Sequence, residues 1–420
     1  MNSKKMIEFI EKSPSVFHAV KNVCDLLEQN GFVQLSEKDR WNLKPGKYFV
    51  TRNASSVISF EIPKKDFNGF LITSSHSDSP CFKIKENPEI ASELCVKLNV
   101  EKYGGMLLAP WFDRPLSVAG RLIWSEDDST ELKETLVNID RDLVLIPSLA
   151  IHMNRDANKG SEISVQNEMC PLFSLDKNEK LMGMISKEAG IPEDKIISTD
   201  LFLYNRCPAS TWGAQKEFIS APKLDDLECV YTTLNGFLQA SNKDFTTIHA
   251  VFDNEEVGSL TRQGADSTFL SDVLHRINYS LGRTDEEYHT AIAQSFMVSA
   301  DNAHAVHPNY SSKADPVNRP EMNKGPVIKF NAAQKYTSDA VSSAMFKQVC
   351  KKAGVPFQIF TNNSDVAGGS TLGNISNAHV SLRCVDIGIA QLAMHSPYET
   401  AGIKDIDFMI DAIKGFYSAE

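Results

Sequence analysis

The sequence predicts an α/β fold in which helices cover both faces of a mixed sheet, with a mostly β domain inserted into it. Two observations support this prediction. After about residue 220, apolar periods of helical and of strand length alternate along the chain, as in layered α/β proteins. Between about residues 88 and 219, short β-like stretches are separated by glycine, asparagine and aspartate. The α/β domain is therefore expected to be split into residues 1–88 and 220–420, with residues 89–219 as the insertion.

The first part of the chain predicts two helices followed by three strands. Pro14 stops the first helix, residues 4–11, and Ser15 begins the second, residues 15–29. The predicted strands cover residues 48–51, 56–61 and 69–73. The third strand is almost wholly apolar, which is typical of a strand buried in a sheet, and it leads directly into a polar cluster.

The remaining elements follow from the same patterns. In the insertion, β-like stretches are predicted at residues 94–100, 116–124 and 135–140. After the insertion, helices are predicted at residues 224–239, 267–281, 337–353 and 403–417. Strands are predicted between them at residues 246–252, 296–300, 356–360 and 379–387.

Length, charge and cysteine content exclude several classes of protein. The 420 residues exceed one usual core, and 43 basic against 54 acidic residues give a net charge of −11, which argues against a nucleic-acid partner. No apolar run approaches the ~20 residues of a membrane-spanning helix, so no membrane partner is predicted. The eight scattered cysteines form no Cys-x-x-Cys pair, and the N-terminus has no apolar signal region. A cytoplasmic protein with reduced thiols is therefore expected.

Histidines and carboxylates gather at five places, each just past a predicted strand or beside a turn. They are His76 and Asp78, Asp225 and Asp226, residues 253–256, Asp301, and His395. In open α/β sheets, ligands bind beyond the carboxyl ends of strands, and these positions fit that rule. Two histidines with several carboxylates and no cysteine suit divalent ions such as Zn²⁺, Mn²⁺ or Co²⁺.

Each of these patterns also has a purely structural interpretation. A His-x-Asp spacing occurs by chance, a Glu-Glu pair is typical of a solvated surface, and an Asp-Asp pair fits a helix N-terminus. His395 fits a buried core histidine. In an extended segment, however, His76 and Asp78 share one face, so the carboxylate can support the imidazole from behind. The residues alone leave these alternatives open.

Long motifs along the chain match those of one protein family, in the same order. They lie at residues 13–20, 48–53, 76–80, 111–114, 119–121, 252–259, 299–310, 369–373 and 393–396. The most specific is the segment from Ser299 to Tyr310, which contains Asp301 and His307. Over nearly its whole length the chain resembles the aspartyl aminopeptidase family of dinuclear zinc metallopeptidases. The resemblance implies a mixed-sheet catalytic domain with an inserted, mostly β dimerisation domain.

The resemblance implies two divalent metal ions, Zn²⁺ in the first place and Mn²⁺ or Co²⁺ as options. His76 and Asp301 would be terminal ligands of one ion. Glu256 and His395 would be ligands of the other, and Asp225 would bridge the two.

The resemblance also implies roles in the chemistry. Glu255 would act as general base on a water activated by the ions and would pass the proton to the leaving amine, while Asp78 would orient His76. His152 would reach across a subunit interface to the neighbouring active site and stabilise the oxyanion there. Its alternative is a structural histidine in the insertion.

Specificity is implied by fewer residues. Lys329 matches the family's partner for an acidic side chain on the released residue, and His307 and Tyr336 are further candidates for the substrate pocket. The alternative for His307 and Tyr336 is a role in packing only. Asn363 stands where related sequences tend to have arginine, which favours a broader preference than for acidic residues alone.

The function implied is that of a metallo-aminopeptidase that releases the N-terminal residue, preferably acidic, from peptides. The implied assembly is a homo-oligomer built from dimers, as a tetrahedral dodecamer. One alternative is another dinuclear amide hydrolase, such as a deacylase or a carboxypeptidase. The other is a non-catalytic scaffold or cargo protein, which we would expect to have lost a ligand or the base.

Overall fold

The computed structural model of the chain describes residues 2–126, 130–160, 162–366 and 368–419. Within these ranges the helices are α1 (Asn2–Glu11), α2 (Val16–Gln29), α3 (Val165–Glu168), α4 (Leu181–Ala189), α5 (Leu224–Leu238), α6 (Phe269–Ser280), α7 (Asp285–Gln294), α8 (Ala340–Ala353), α9 (Leu372–Ser376) and α10 (Ile403–Tyr417). The strands are β1 (Val33–Leu35), β2 (Gly46–Arg52), β3 (Ser56–Ile62), β4 (Phe70–His76), β5 (Cys81–Ala91), β6 (Val96–Tyr103), β7 (Leu116–Trp124), β8 (Lys133–Asn138), β9 (Leu172–Ser174), β10 (Ile196–Asn205), β11 (Ser210–Trp212), β12 (Phe218–Ala221), β13 (Thr246–Phe252), β14 (Phe296–Ala300), β15 (Ala303–His304), β16 (Val327–Phe330), β17 (Gln358–Thr361), β18 (Arg383–Gly388), β19 (Ala390–Leu392) and β20 (Glu399–Gly402).

The largest sheet has nine strands in the order β1-β2-β3-β13-β4-β14-β18-β16-β17. Strands β13, β4, β14 and β18 run parallel to one another. By contrast, β3 pairs antiparallel with β13, and β16 pairs antiparallel with β18. The mixed α/β class predicted from the sequence is therefore confirmed.

The two faces of this sheet belong to two separate apolar cores. One core joins the sheet to α1, α2, α5, α8 and α10, and the other joins it to α6, α7 and α9. In β4, Leu71 faces the first core and Ile72 the second, as the alternation of side chains along a strand requires. Because both faces are covered, every residue of β4 and β13 is buried. This explains why their sequences are so poor in charged residues.

Helix α10 illustrates how an apolar stripe fixes a helix on the sheet. Its large buried apolar residues recur mostly every three or four positions: Ile406, Met409, Ile410, Ile413, Phe416 and Tyr417. The Tyr417 hydroxyl donates to the Ile248 carbonyl at 2.6 Å and accepts the Thr73 backbone N–H at 3.1 Å. The end of α10 is thereby tied to both β13 and β4.

A second sheet of six strands, in the order β8-β7-β10-β5-β6-β9, is antiparallel throughout. It has its own core, to which the helix α4 contributes Leu181 and Ile185. The sequence pattern of the insertion did not predict this helix. The predicted boundaries at 88/89 and 219/220 stay a prediction, and β5 runs across the first of them.

A third, five-stranded sheet has the order β11-β12-β20-β19-β15 and joins segments that are far apart in the sequence. Its strand β12 leads into α5, and its strand β20 leads into α10. These two strands pair antiparallel, with Ala221 opposite Glu399. The start of α5 is consequently placed beside the segment that connects β19 to β20.

Two differences from the predicted elements have physical reasons. Helix α7 was not predicted because it buries only Tyr288 and Ala291, so its apolar periodicity is weak. Its capping box, in which Thr284 and Glu287 bond each other's backbone N–H, was the available signal. The strand predicted at 379–387 begins only at Arg383, because residues 377–380 continue the turn that follows α9.

Gly388, the last residue of β18, provides a test of this packing. A Cβ atom built there would meet the Asp301 carbonyl oxygen at 2.1 Å. We therefore expect Gly388→Ala to lower the free energy of unfolding by about 1–3 kcal/mol, the usual cost of overpacking. In α4, a Cβ at Gly183 would have only Glu193 Oε2 within 4 Å, at 3.8 Å. Gly183→Ala should therefore raise this free energy by about 0.5–1 kcal/mol.

Urea unfolding of the two variants beside the wild type measures both effects. Equal stability of Gly388→Ala and the wild type would contradict the close approach of β18 to the Asp301 backbone.

Candidate metal centre

Three neighbouring parallel strands end at the same edge of the nine-stranded sheet, and each carries candidate residues at or beyond its end. His76 is the last residue of β4 and lies beside Phe252, the last residue of β13. Residues 253–256 follow β13, and Asp301 follows β14, which pairs with the other side of β4. This is the edge at which open α/β sheets hold their ligands.

The five-stranded sheet brings in the two remaining candidates, Asp225 and His395. Glu399 is 1% exposed, and its two carboxylate oxygens hold both segments. One oxygen accepts the Asp225 backbone N–H at 2.9 Å, and the other accepts the His395 backbone N–H at 2.7 Å. The backbone of α5 is not helical at Asp225 and Asp226, so the Asp225 side chain is carried on an irregular first turn.

The side chains form two groups of donor atoms that share Asp225. In the first group, His76 Nε2 lies 3.6 Å from Asp225 Oδ1 and 4.0 Å from Asp301 Oδ1. In the second, His395 Nε2 lies 3.4 Å from Asp225 Oδ2 and 3.4 Å from Glu256 Oε2. Each oxygen of the Asp225 carboxylate thus faces a different imidazole.

These separations suit metal ligands. Ligand atoms at about 2.0–2.2 Å from one ion lie roughly 3–4 Å from each other. The buried oxygens Asp225 Oδ1 and Glu256 Oε1 have no hydrogen-bond partner among the residues that the structure describes. A buried carboxylate oxygen needs such a partner or a cation. The donor set of imidazole and carboxylate, without thiolate, fits Zn²⁺, Mn²⁺ or Co²⁺.

The pKa values of the ionisable groups are shifted because many charged side chains lie close together in a buried place. Burial and the neighbouring Asp225 raise the pKa of Glu256 well above its ordinary value. Burial opposes the charged form of His76, but Asp226, Asp225 and Asp78 together hold its pKa well above the usual range. A divalent cation would relieve both effects, because it favours the carboxylate and the neutral imidazole.

Asp78 supports the first group from behind. Its carboxylate oxygen Oδ1 lies 3.4 Å from His76 Nδ1. The same carboxylate accepts the Tyr103 hydroxyl at 2.7 Å and the backbone N–H groups of Glu255 and Glu256, each at 3.1 Å. Asp78 therefore links the imidazole to the segment that carries the two glutamates.

Glu255 lies beside the donor groups without belonging to the two that share Asp225. Its carboxylate has no hydrogen-bond or ion-pair partner within the described ranges, although it is within 4.8 Å of the donor atoms of His76 and Glu256. Burial, together with Asp301, Asp78 and Asp225, raises the pKa of Glu255 to about 8. It is a basic carboxylate adjacent to the cation site.

Lys329 lies against the same centre and contacts the Asp301 segment. It is 2% exposed, and its ammonium donates to the carbonyls of Asp301 at 2.7 Å and Asn302 at 3.3 Å. It also lies 3.6 Å from Asp301 Oδ2 and 5.2 Å from the ring centroid of Tyr336. Although burial opposes it, the charge of Asp301 raises the pKa of Lys329. The lysine therefore holds the Asp301 segment in place.

Two sequence candidates lie apart from the donor groups. His307 accepts the Asn309 backbone N–H on Nδ1 at 3.1 Å, and its ring packs against Tyr310. His152 is exposed, in the turn at residues 151–153. In the described part of the chain, no hydrogen bond or ion pair joins either of them to the donor atoms.

Sequence reasoning missed Glu399 and the position of Asp226, both of which shape the centre. Glu399 carries no motif of its own, and its role is visible only in the bonds that it accepts from the backbone N–H groups of Asp225 and His395. Asp226 was visible as a second carboxylate, but its position was not. Its Oδ2 accepts the His76 backbone N–H at 3.1 Å and lies 4.0 Å from His76 Nε2.

Within the described ranges, no helix is both long and apolar enough to cross a membrane.

The chain is similar over nearly its whole length to proteins of known family. Two curated relatives are both named "Probable M18 family aminopeptidase 2". The relative from Clostridium acetobutylicum is 48% identical over 99% of this chain and 98% of its own length. The relative from Stutzerimonas stutzeri is 38% identical, over 99% and 97%.

Solved structures agree with these relatives. A chain of the Ape4 and Nbr1 complex superposes with a TM-score of 0.96 at 36% identity, covering 99% of this chain and 85% of that one. The S. cerevisiae mApe1 dodecamer superposes with a TM-score of 0.87 at 27% identity, over 99% and 96%. The family model of the aminopeptidase I zinc metalloproteases matches residues 9–417. The chain therefore belongs to the aminopeptidase I (M18) family of zinc metalloproteases.

Proposed function

We propose that the chain is a dinuclear metallo-aminopeptidase that removes the N-terminal residue from peptides. The observation that carries this proposal is the shared carboxylate of Asp225, which faces His76 with one oxygen and His395 with the other. The two donor groups that share Asp225 would hold two ions, and with the free base Glu255 beside them they would form a centre for amide hydrolysis. Zn²⁺ is our first choice, and Mn²⁺ and Co²⁺ fit the same donors.

The residues of the centre have different roles in the reaction. When bound, the divalent ions supply Lewis acidity, which lowers the pKa of water towards neutrality. Glu255 takes the proton of the attacking water and delivers it to the nitrogen of the leaving peptide. Asp78 keeps the His76 ring in orientation, and Glu399 keeps the backbones of Asp225 and His395 together.

The assembly we propose is a homo-oligomer built from dimers, in which the insertion makes a subunit contact. Apolar side chains on and beside the turn of His152 are exposed: Leu149 (61%), Ile151 (48%) and Met153 (77%). Such a patch is typical of an interface. A similar chain forms the mApe1 dodecamer, and a tetrahedral dodecamer is our proposal for this protein. His152 would then complete the centre of the neighbouring subunit.

For the released residue we propose an acidic preference with broad tolerance. The Lys329 ammonium is already bonded to the Asp301 segment, so it would act on a substrate carboxylate through its charge. His307 and Tyr336 stay candidates for the pocket. Since all eight cysteines are free thiols, we also propose a reducing compartment such as the cytoplasm.

Replacing the base separates metal binding from catalysis. We expect Glu255→Gln to lower kcat by about 10²–10⁴, the usual contribution of a general base, with unchanged metal content. Asp78 would still accept the backbone N–H at position 255, so the site should keep its shape. Turnover of an aminoacyl chromogenic substrate and elemental analysis give the two readouts. Exposed Glu28→Gln is the control, and a variant within a few fold of wild-type turnover would contradict the role.

Lys329→Met distinguishes a structural from a selective role. Loss of the charge should reduce cleavage of aspartyl and glutamyl substrates about tenfold more than that of leucyl substrates, the equivalent of about 1.4 kcal/mol. Metal affinity should also fall, because the Asp301 segment loses its partner. Lys335→Met is the control, because Lys335 is exposed in the loop that follows the strand of Lys329. If the wild type prefers leucyl substrates and the variant keeps that order, Lys329 is not the selector.

Mixing two inactive variants tests the shared site. We expect His152→Phe to lose activity while keeping metal. Reassembly with equal amounts of Glu255→Gln chains should restore about a quarter of wild-type activity, because half of the dimers then hold one intact site of two. Each variant reassembled with itself is the control. A fully active monomer, or no recovery in the mixture, would refute the contribution of His152 across the interface.

To distinguish an aminopeptidase from another amide hydrolase, the same peptides are compared with free and with acetylated N-termini. The proposal expects cleavage of the free series only. Cleavage of the blocked series would favour a deacylase or a carboxypeptidase.

A further inference from the structure

A cavity of about 320 Å³ lies between the nine-stranded and the six-stranded sheets and adjoins the metal centre, since Asp78 and Asp225 line it. We call it the junction cavity. Its walls come from the connection between α1 and α2, the residues after β4, the strands β7 and β10, and the segment that leads into α5. Lys83, Arg121 and Lys223 are the basic residues that line it.

Two of these three cations already have an anionic partner. Asp200 lies 2.9 Å from Lys83 Nζ and 3.0 Å from an Arg121 guanidinium nitrogen. Arg121 also contacts Glu134 at 3.2 Å. Their charges are therefore balanced by Asp200, which lines the cavity, and by Glu134, which is not among the lining residues.

Lys223 differs from them. Its ammonium has no hydrogen bond and no ion pair with any residue in the described ranges, and its nearest aromatic ring is Tyr204, with the centroid at 5.9 Å. The residue is only partly exposed, and it lines the cavity. An ammonium withdrawn from bulk water without a counter-charge is costly, so such groups pair with an anion or with ordered water.

The carboxylates that line the cavity are engaged elsewhere. Glu399 holds two backbone N–H groups, and Asp225 faces the two imidazoles. Asp78 accepts three hydrogen bonds, and Asp253 accepts the Asn254 N–H at 2.7 Å. None of these carboxylates forms an ion pair with Lys223 among the described residues.

We propose that the junction cavity binds one small anion on Lys223. The volume is far larger than one water molecule requires and admits a halide, an inorganic phosphate or a small carboxylate with part of its hydration. Lys223 comes two residues before Asp225, and Ser79, also in the cavity wall, donates its hydroxyl to the Asp225 carbonyl at 2.7 Å. A bound anion would therefore order the segment that carries the shared carboxylate.

The test uses the full-length, metal-loaded protein and does not depend on its activity. Crystals soaked in bromide are expected to show one anomalous peak per chain at Lys223. Titration with chloride, phosphate and acetate, each at constant ionic strength with a bulky sulfonate salt, is followed by the thermal unfolding midpoint. The three arms distinguish an inorganic anion from a carboxylate as the ligand.

We expect anion binding to be about 10- to 100-fold weaker in Lys223→Met, the fold-change that a charge-assisted hydrogen bond supplies. Lys223→Arg should retain it. Lys83→Met is the matched control, because Arg121 still pairs with Asp200 there and the charge of Lys223 is unaffected. Ordered water alone at Lys223, without bromide, would overturn the proposal. So would equal anion dependence in the wild type and in Lys223→Met, and the bromide experiment decides even if that variant does not fold.

Discussion

The buried carboxylate of Asp225 determines how the candidate metal centre is built. It is 3% exposed and stands between two imidazoles, that of His76 at the end of β4 and that of His395 in the connection between β19 and β20. Burial disfavours its charged form, but His395 and His76 hold its pKa below the usual range. Such a carboxylate is ionised in the protein interior and has further donor atoms on both sides. This arrangement suits the binding of cations.

Holding that arrangement requires the nine-stranded and five-stranded sheets to keep a fixed relation. His76, Glu256 and Asp301 lie at or just beyond the ends of strands of the first sheet, whereas Asp225 and His395 lie on segments that adjoin strands of the second. Asn302 connects the two, because its side chain donates to the Leu224 carbonyl at 3.0 Å and to Gln391 at 2.9 Å. Glu399 and Lys329 hold backbone segments of the centre in place, and Asp78 orients the His76 ring. None of the three belongs to the two donor groups that share Asp225.

The sequence predicted the fold best where burial is complete. The strands Thr246–Phe252 and Phe296–Ala300 and the helix Ile403–Tyr417 have the predicted bounds, because continuous or periodic apolar runs mark them clearly. Helix α7 buries too little apolar surface for such a signal, and α4 lies in a segment dominated by β patterns. Apolar periodicity in the sequence thus predicts elements that bury a continuous stripe or face. It misses elements with few buried side chains.

The candidate site was predicted differently. The residues alone suggested a metal centre with alternatives, and the division into two ligand sets came from the family resemblance. The role of Glu399 and the position of Lys329 depend on contacts between segments that lie far apart in the sequence, which no local pattern reports. The bonds of Lys329 to the Asp301 segment were likewise not predicted from the sequence, while its contact with substrate stays a prediction.

The most direct test of the central claim is calorimetric titration of the metal-free protein with Zn²⁺ or Mn²⁺ in buffers of different ionisation enthalpy. Sharing of Asp225 predicts two ions per chain. Because the pKa values of Glu256 and His76 are raised without the ions, it also predicts that protons are released as the ions bind. Saturation at a single ion, or binding of two ions without proton release, would contradict the account.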